Sequence, residues 1–379
     1  MPTKSSLVLG SVVASMITCG LTGALLAQTP AGASAKAAPK AWPEAREMEK
    51  RRADAEKLPL FADAAPFELT LTADFKAIQS DRNPESTKLF PATVQVAAKD
   101  GSMRSANIQV RTRGHARRSF NTCDFAPLRI EFQKDKMKGT VFEDQEALKL
   151  GVHCREGVKE FEQYVLREYA AYRIYNLVTP QSFRARLARV TYVDAVKQKP
   201  ISTRFGMFIE DDGDVAKRMG GRLTEEKEDL VRLDRDAFTR STLFQYLIGN
   251  VDMSIITFHN FVAVQMPTGP VYSVPYDFDY SGLVNASYAT PAPNLGITSV
   301  RDRLFRGPCR PEAELQPFFE KFRAIRPDII AMYDSLPALF DAGAKKKAIS
   351  YLDGFYKTIE KPAEIKKSFI DTCLKRGLM

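Results

Sequence analysis

The chain has little of what organises many metal and nucleic-acid proteins. It holds three histidines (His115, His153, His259), widely separated, and no Cys-x-x-Cys pair. Both scarcities argue against a dedicated zinc site, even with His153 and Cys154 adjacent. No dense Lys/Arg run with interleaved aromatics occurs, so nothing points to a nucleic-acid interface, although the formal net charge is +9. The closest cluster, Arg111, Arg113, Arg117 and Arg118, surrounds a glycine. The positive balance reads as a solvated basic surface, or as suited to an anionic membrane surface or a phosphorylated ligand. Internal repeats are missing. Past the first residues, no run is apolar for long enough to cross a bilayer.

What remains is an ordinary globular balance, 44% hydrophobic and 27% charged over 379 residues, which excludes wholesale disorder and leaves room for two lobes. Residues 1–35 read as an export signal. Lys4 supplies the positive start, Leu7 to Ala27 is apolar but diluted by small residues, and small-residue cleavage sites follow. An uncleaved membrane anchor is the competing reading. Thr18 and the long apolar run after Cys19 argue against a lipoprotein signal. An exported product would be periplasmic or extracellular. Four further cysteines, Cys123, Cys154, Cys309 and Cys373, then permit two disulfides in three connectivities, or four buried thiols.

Residues 36–66 read as a linker with one polar, weakly packing helix, Pro43 to Lys57. From Phe67 the pattern alternates: Phe67, Leu69 and Leu71 face one way, giving a half-buried strand. Further strands are expected at Thr93–Ala98, Ala106–Arg113, Leu128–Phe132, Leu148–Val152, Arg189–Val193 and Phe205–Glu210. Helical spacing of Phe161, Val165, Tyr169 and Tyr172 predicts a long helix over Val158 to Leu177. The turn-rich Glu210–Asp214 run marks a boundary between 67–212 and 213–379. Beyond it come a helix, Arg235–Gly249, two strands at Asn260–Gln265 and Val271–Val274, and a mostly helical remainder from Glu312 to Leu378. The expected class is α+β, with a sheet-rich N-lobe, a helix-rich C-lobe and a cleft between them.

Two stretches carry the chemistry: GNVDMSIITFHNF (Gly249–Phe261) and VPYDFDYSG (Val274–Gly282). In the second, Asp277 and Asp279 stand at i, i+2, on one face of an extended segment. Asp252, Asn260 and this pair offer the hard oxygens that a magnesium–nucleotide site uses. Asp252 is the candidate catalytic base; its structural alternative is a helix-end cap. Asn260, Asp277 and Asp279 are candidate metal ligands, against a plain turn before Gly282. Lys149, between Leu148 and Leu150, must point away from their face and is the candidate phosphate anchor. Glu168 in the long helix is its candidate partner and Glu210 the rival. Gly114 with Arg111, Arg113 and Arg117 suits a phosphate-contacting turn, or simply a hairpin.

These pieces, in order, resemble the CotH kinase family, the atypical kinase-like proteins first named from a spore-coat protein. RTRGHARRSF resembles the family's Arg-x-Arg-Gly segment, without the Ser-rich stretch that usually follows. ALKLGVHC resembles its Lys-containing strand, and EFEQYVLREYAAYRIYN the helix after it. GMFIEDDGDV resembles Gly-x-Tyr-x-x-x-Glu with Phe208 for Tyr, GNVDMSIITFHNF the Gly-Asn-x-Asp…His-Asn segment, and PYDFDYSG the Pro-Trp-Asp-x-Asp…Gly segment with Tyr276 for Trp. The resemblance spans roughly residues 105–285. It implies a bilobal protein-kinase-like fold that binds ATP with Mg²⁺ or Mn²⁺ and phosphorylates protein Ser or Thr. A non-catalytic envelope or coat protein keeping that scaffold is the alternative it leaves.

Overall fold

The computed structural model describes residues 41–226, 231–255, 257–336 and 343–374. The expected signal, 1–35, and the first residues of the expected linker lie outside them. Pro43–Met379 form one compact unit.

Period-2 alternation builds its first half. In β1 (Phe67–Ala73), Leu69, Leu71 and Ala73 are buried and the residues between them only partly so. β2 (Phe90–Ala97), β3 (Met103–Thr112), β4 (Leu128–Glu131) and β5 (Ala147–Gly151) follow, then β6 (Ala185–Asp194) and β7 (Lys199–Ile209). They pair in the order β1-β2-β3-β4-β5-β7-β6. β6 then returns to β1 in parallel register, Leu69 opposite Val190, closing a seven-stranded barrel. Val94, Ile108, Val110, Ile130, Leu148, Leu150, Val190 and Phe208 form one core, joined by Phe75 and Ile78 of the short α2 (Phe75–Ser80). The α+β expectation therefore holds, but the sheet of the first half is a closed mixed barrel.

β6 and β7 are apolar on both faces, and this couples the barrel to the helices. Ala188, Val190 and Tyr192 join the barrel core. Ala185, Leu187, Phe205, Met207 and Ile209, on the opposite parity, pack outward into a second core. That core is centred on α3 (Lys159–Val178), which is buried on nearly every face. α5 (Arg235–Ile248), α6 (Glu312–Ala324), α7 (Arg326–Ser335) and α8 (Ala344–Ile359) complete it. A three-stranded antiparallel sheet, β8 (Arg222–Thr224), β9 (Phe261–Gln265) and β10 (Val271–Pro275), is ordered β10-β9-β8. α4 (Asp212–Arg218) follows β7, and the short α9 (Pro362–Ile365) follows α8.

The polar helix appears as α1 (Ala45–Glu56). It buries only Ala55, and its last carbonyls, Ala55 O and Glu56 O, accept hydrogen bonds from Arg184. Of the permitted cysteine pairings, Cys123–Cys154 and Cys309–Cys373 are formed. Two disulfides suggest an oxidising, extracytoplasmic location. Among the described residues, no helix is long and apolar enough to cross a membrane.

Candidate functional site

α5 is stopped by Gly249, whose left-handed φ of 65° a side chain would strain. Its neighbourhood is equally restrictive. A Cβ on Gly249 would lie 1.8 Å from the Tyr351 hydroxyl, and one on Gly282 would lie 2.1 Å from it. The glycines that bracket the two acidic motifs thus meet one tyrosine of α8, and Gly282 N donates to Gly249 O at 3.0 Å. That contact holds the motifs side by side.

Asp252 sits three residues past Gly249, in a loop rather than capping the helix. Its carboxylate accepts from Asn260 Nδ2 at 2.9 Å and lies 3.5 Å from His259 Nε2. Burial raises its pKa and Asp277 adds to the rise, against the pull of His259 and Asn260. Asn260 also donates to Asp252 O at 3.0 Å, and its own carbonyl accepts from Tyr276 N at 3.0 Å. Asn260 and Asp277 have left-handed φ values of 58° and 61°. Asn and Asp tolerate that region best among residues with a Cβ, still at about 1 kcal/mol or more each.

After β10, Asp277 and Asp279 turn toward α3. Asp277 N donates to the Tyr172 hydroxyl at 2.9 Å, and the Tyr288 hydroxyl donates to Asp279 at 3.0 Å. Glu168 of α3 completes an acidic group: one oxygen from each of Glu168, Asp277 and Asp279 lies within 4.8 Å of the others. Arg117 reaches into it, 2.6 Å from Asp277, 3.3 Å from Asp279 and 3.8 Å from Glu168. Burial drives Glu168 up to about 8, with the two aspartates adding to the rise, and lifts Asp279 to about 6. Asp277 keeps a quarter of its side chain exposed. Against the cost of its burial, Arg117, Arg113 and Lys149 hold its carboxyl below the ordinary value.

Lys149 does point out of the barrel, opposite in parity to Leu148 and Leu150. Its ammonium lies 4.4 Å from the centre of the Tyr276 ring and 5.3 Å from that of Phe183. Burial lowers its pKa, and Arg113 adds to the fall. The expected Lys149–Glu168 pair is not formed, because Arg117 stands at Glu168 and Lys149 bonds to Asp212 at the start of α4. Glu210 is no partner of Lys149 either. It is fully buried between Arg184 (2.8 Å) and Arg218 (3.0 Å), a structural clamp. Arg113 forms no ion pair among the described residues, although its charge is felt at Lys149, Asp277 and Glu168. Next to it, Gly114 adopts a φ of 87°.

The structure therefore gathers Asp252, Asn260, Asp277 and Asp279 with Lys149, Arg113 and Glu168 nearby, and sends Glu210 elsewhere. Sequence reasoning missed Arg117 as the cation among the carboxylates and Asp212 as the partner of Lys149. Asp212 had a signal, its place in the acidic run beside Glu210; the burial of Arg117 had none. A cavity of about 230 Å³ opens beside Asp252, lined also by His259, Tyr280, Pro291 and Arg306. A larger one, about 640 Å³, lies between α1, α4 and the barrel. Two pairs of its charges meet, Lys99 with Glu143 and Lys217 with Asp214, and it holds none of the expected site residues.

No family model matches this chain, and no curated protein matches it.

Proposed function

We propose that the chain is an exported, CotH-like atypical protein kinase with a bilobal kinase-like organisation, the barrel as one lobe and the helices with the small sheet as the other. It transfers the terminal phosphoryl group of ATP to a protein Ser or Thr. The observation that carries this reading is the meeting of Asp252, Asn260 and Asp277, linked through Asn260 to both motifs, with the charge of Lys149 felt at Asp277.

Asp252 takes the proton of the acceptor hydroxyl. That oxygen bonds to the γ-phosphorus as the bond from phosphorus to the β–γ bridging oxygen breaks, and ADP leaves with that oxygen. The raised pKa of Asp252 suits a base that must pick up a proton. Lys149, released from Asp212, and Arg113 steady the phosphates. The hard oxygens of Asn260, Asp277 and Asp279 fit Mg²⁺ or Mn²⁺, which neutralises phosphate charge when bound. Asp252→Ala is expected to retain a nucleotide-dependent thermal shift with Mg²⁺ and to lose at least 100-fold of phosphotransfer from labelled ATP. Full transfer by this variant removes Asp252 from its role.

One observation favours a second reading, a non-catalytic envelope or coat protein: Arg117 already occupies the carboxylate group as its cation. No thermal shift at millimolar Mg²⁺–ATP selects that reading, since a ligand that binds only the folded chain must stabilise it.

A further inference from the structure

Fully ionised, as a bound cation requires, the carboxylates of Glu168, Asp277 and Asp279 carry three negative charges to Arg117's one. Glu168 is 3% exposed and Asp279 also 3%, so solvent does little to screen the excess. Of the hydroxyl groups nearby, Tyr288 donates to Asp279 and Tyr172 accepts from Asp277 N, and neither bonds to Glu168. One oxygen remains unprovided for. Glu168 Oε1 is buried and has no hydrogen-bond partner. An orphaned carboxylate oxygen in the interior is among the most costly defects a fold can carry, and it points to a ligand. The spacing suits a divalent ion. Oxygens opposite one another across octahedral Mg²⁺ stand about 4.2 Å apart, and across Ca²⁺ roughly 5 Å. The oxygens of this group lie within 4.8 Å of one another.

We propose that Glu168, rather than Asn260, is the third protein ligand of a divalent cation held with Asp277 and Asp279, and that this cation binds without nucleotide. Asn260 serves a different end. Its amide nitrogen bonds twice to Asp252, which makes it the residue that positions the base. Arg117 holds the three carboxylates together before the cation arrives and yields its closest contact, at Asp277, when it does. The inference takes its location from the kinase reading, but needs neither ATP nor turnover.

The test uses the full chain, stripped of metal with a chelator and titrated with Mn²⁺ alone, free ion being counted by its paramagnetic resonance signal. The wild type is expected to bind one Mn²⁺ and to melt at a higher temperature with it. Glu168→Gln, nearly identical in shape, should weaken binding at least 10-fold and erase the shift. Asn260→Ala should stay within about twofold of the wild type, as should Glu160→Gln, a surface change on the same helix. If Glu168→Gln fails to fold, Asp279→Asn carries the same expectation. Failure of the wild type to take up Mn²⁺ at millimolar concentration overturns the inference and leaves Arg117 as the cation of the three carboxylates. Loss in Asn260→Ala with normal binding by Glu168→Gln overturns it too, but leaves the kinase reading's own ligand set intact. Normal Mn²⁺ results with no phosphotransfer sink only the kinase reading.

Discussion

Removing the two disulfides one at a time separates a purely mechanical tie from one that also shapes the site. Cys123 and Cys154 are both buried, with Cα atoms 4.7 Å apart and 31 residues between them in sequence. Cys309 and Cys373 are 64 apart. Cross-link entropy in the unfolded chain gives about 3.7 kcal/mol for the 31-residue separation and about 4.3 kcal/mol for the 64-residue one. Native contacts around each bridge survive its removal. Arg82 Nη1 still donates to Cys123 O, and Arg155 Nε to Thr122 O. Leu374 N still donates to Gly307 O. The cross-link term should therefore dominate. At about 2.1 cal/mol/K per residue, a unit of roughly 340 residues has an unfolding entropy near 0.7 kcal/mol/K, so each double Cys→Ala variant should melt about 5–6 °C lower. Calorimetry of both variants without reductant is the assay. The two should differ in a second respect. Cys123 lies just past Arg117, and Cys154 lies between β5 and α3, which carries Glu168, so the first variant should also weaken Mn²⁺ binding and the second should not. Melting within 1 °C of the wild type in both variants would refute the entropy argument. Equal loss of Mn²⁺ in both would refute the link to the site.

Glu210→Gln should destabilise the fold by about 3 kcal/mol in urea unfolding, because Arg184 and Arg218 lose the charge between them. Gly282→Ala should cost about 2 kcal/mol by overpacking against the Tyr351 hydroxyl, and Tyr351→Phe in the same chain should recover part of it, a coupling a double-mutant cycle reads directly. Glu156 is held down to about 2, first by its hydrogen bond to His153 and then by Ser202. A depressed carboxylate stabilises the fold above its unfolded value of about 4.5, and that stability is lost as pH falls toward 2. Since Glu156 is a third exposed, roughly 1–2 kcal/mol should go, and Glu156→Gln should flatten this part of the acid-unfolding curve.

Elements with a local cause were legible in the sequence. Leu69 and Leu71 announce β1 by alternation, and Phe161, Val165, Tyr169 and Tyr172 announce α3 by period. Gly249 marks the end of α5 within a residue. β7 proved longer than expected because Ser202, Thr203 and Arg204 are half-buried and their polarity hides a strand, and β6 because Arg186, buried by its bonds to Leu60 and Ala65, interrupts the apolar residues before Arg189. Barrel closure was not legible, because the β1–β6 pairing is a contact between residues more than a hundred apart and leaves no local pattern. In the site, the i, i+2 spacing of Asp277 and Asp279 was readable, as was the outward aim of Lys149. Which carboxylate meets which cation was not. That choice is made by side-chain reach across the interior, and Arg117 reaches Glu168 while Lys149 stops at Asp212.

The parallel seam between the first and sixth strands has a cost during synthesis. Until residue 194 has emerged, β1 is paired on the β2 side alone and the nascent sheet keeps a raw border able to recruit other chains. Completion of the β6–β7 hairpin heals both borders in a single event. A chain cut short before that hairpin should therefore clump rather than remain as a soluble half-barrel, and folding should wait for a late long-range closure.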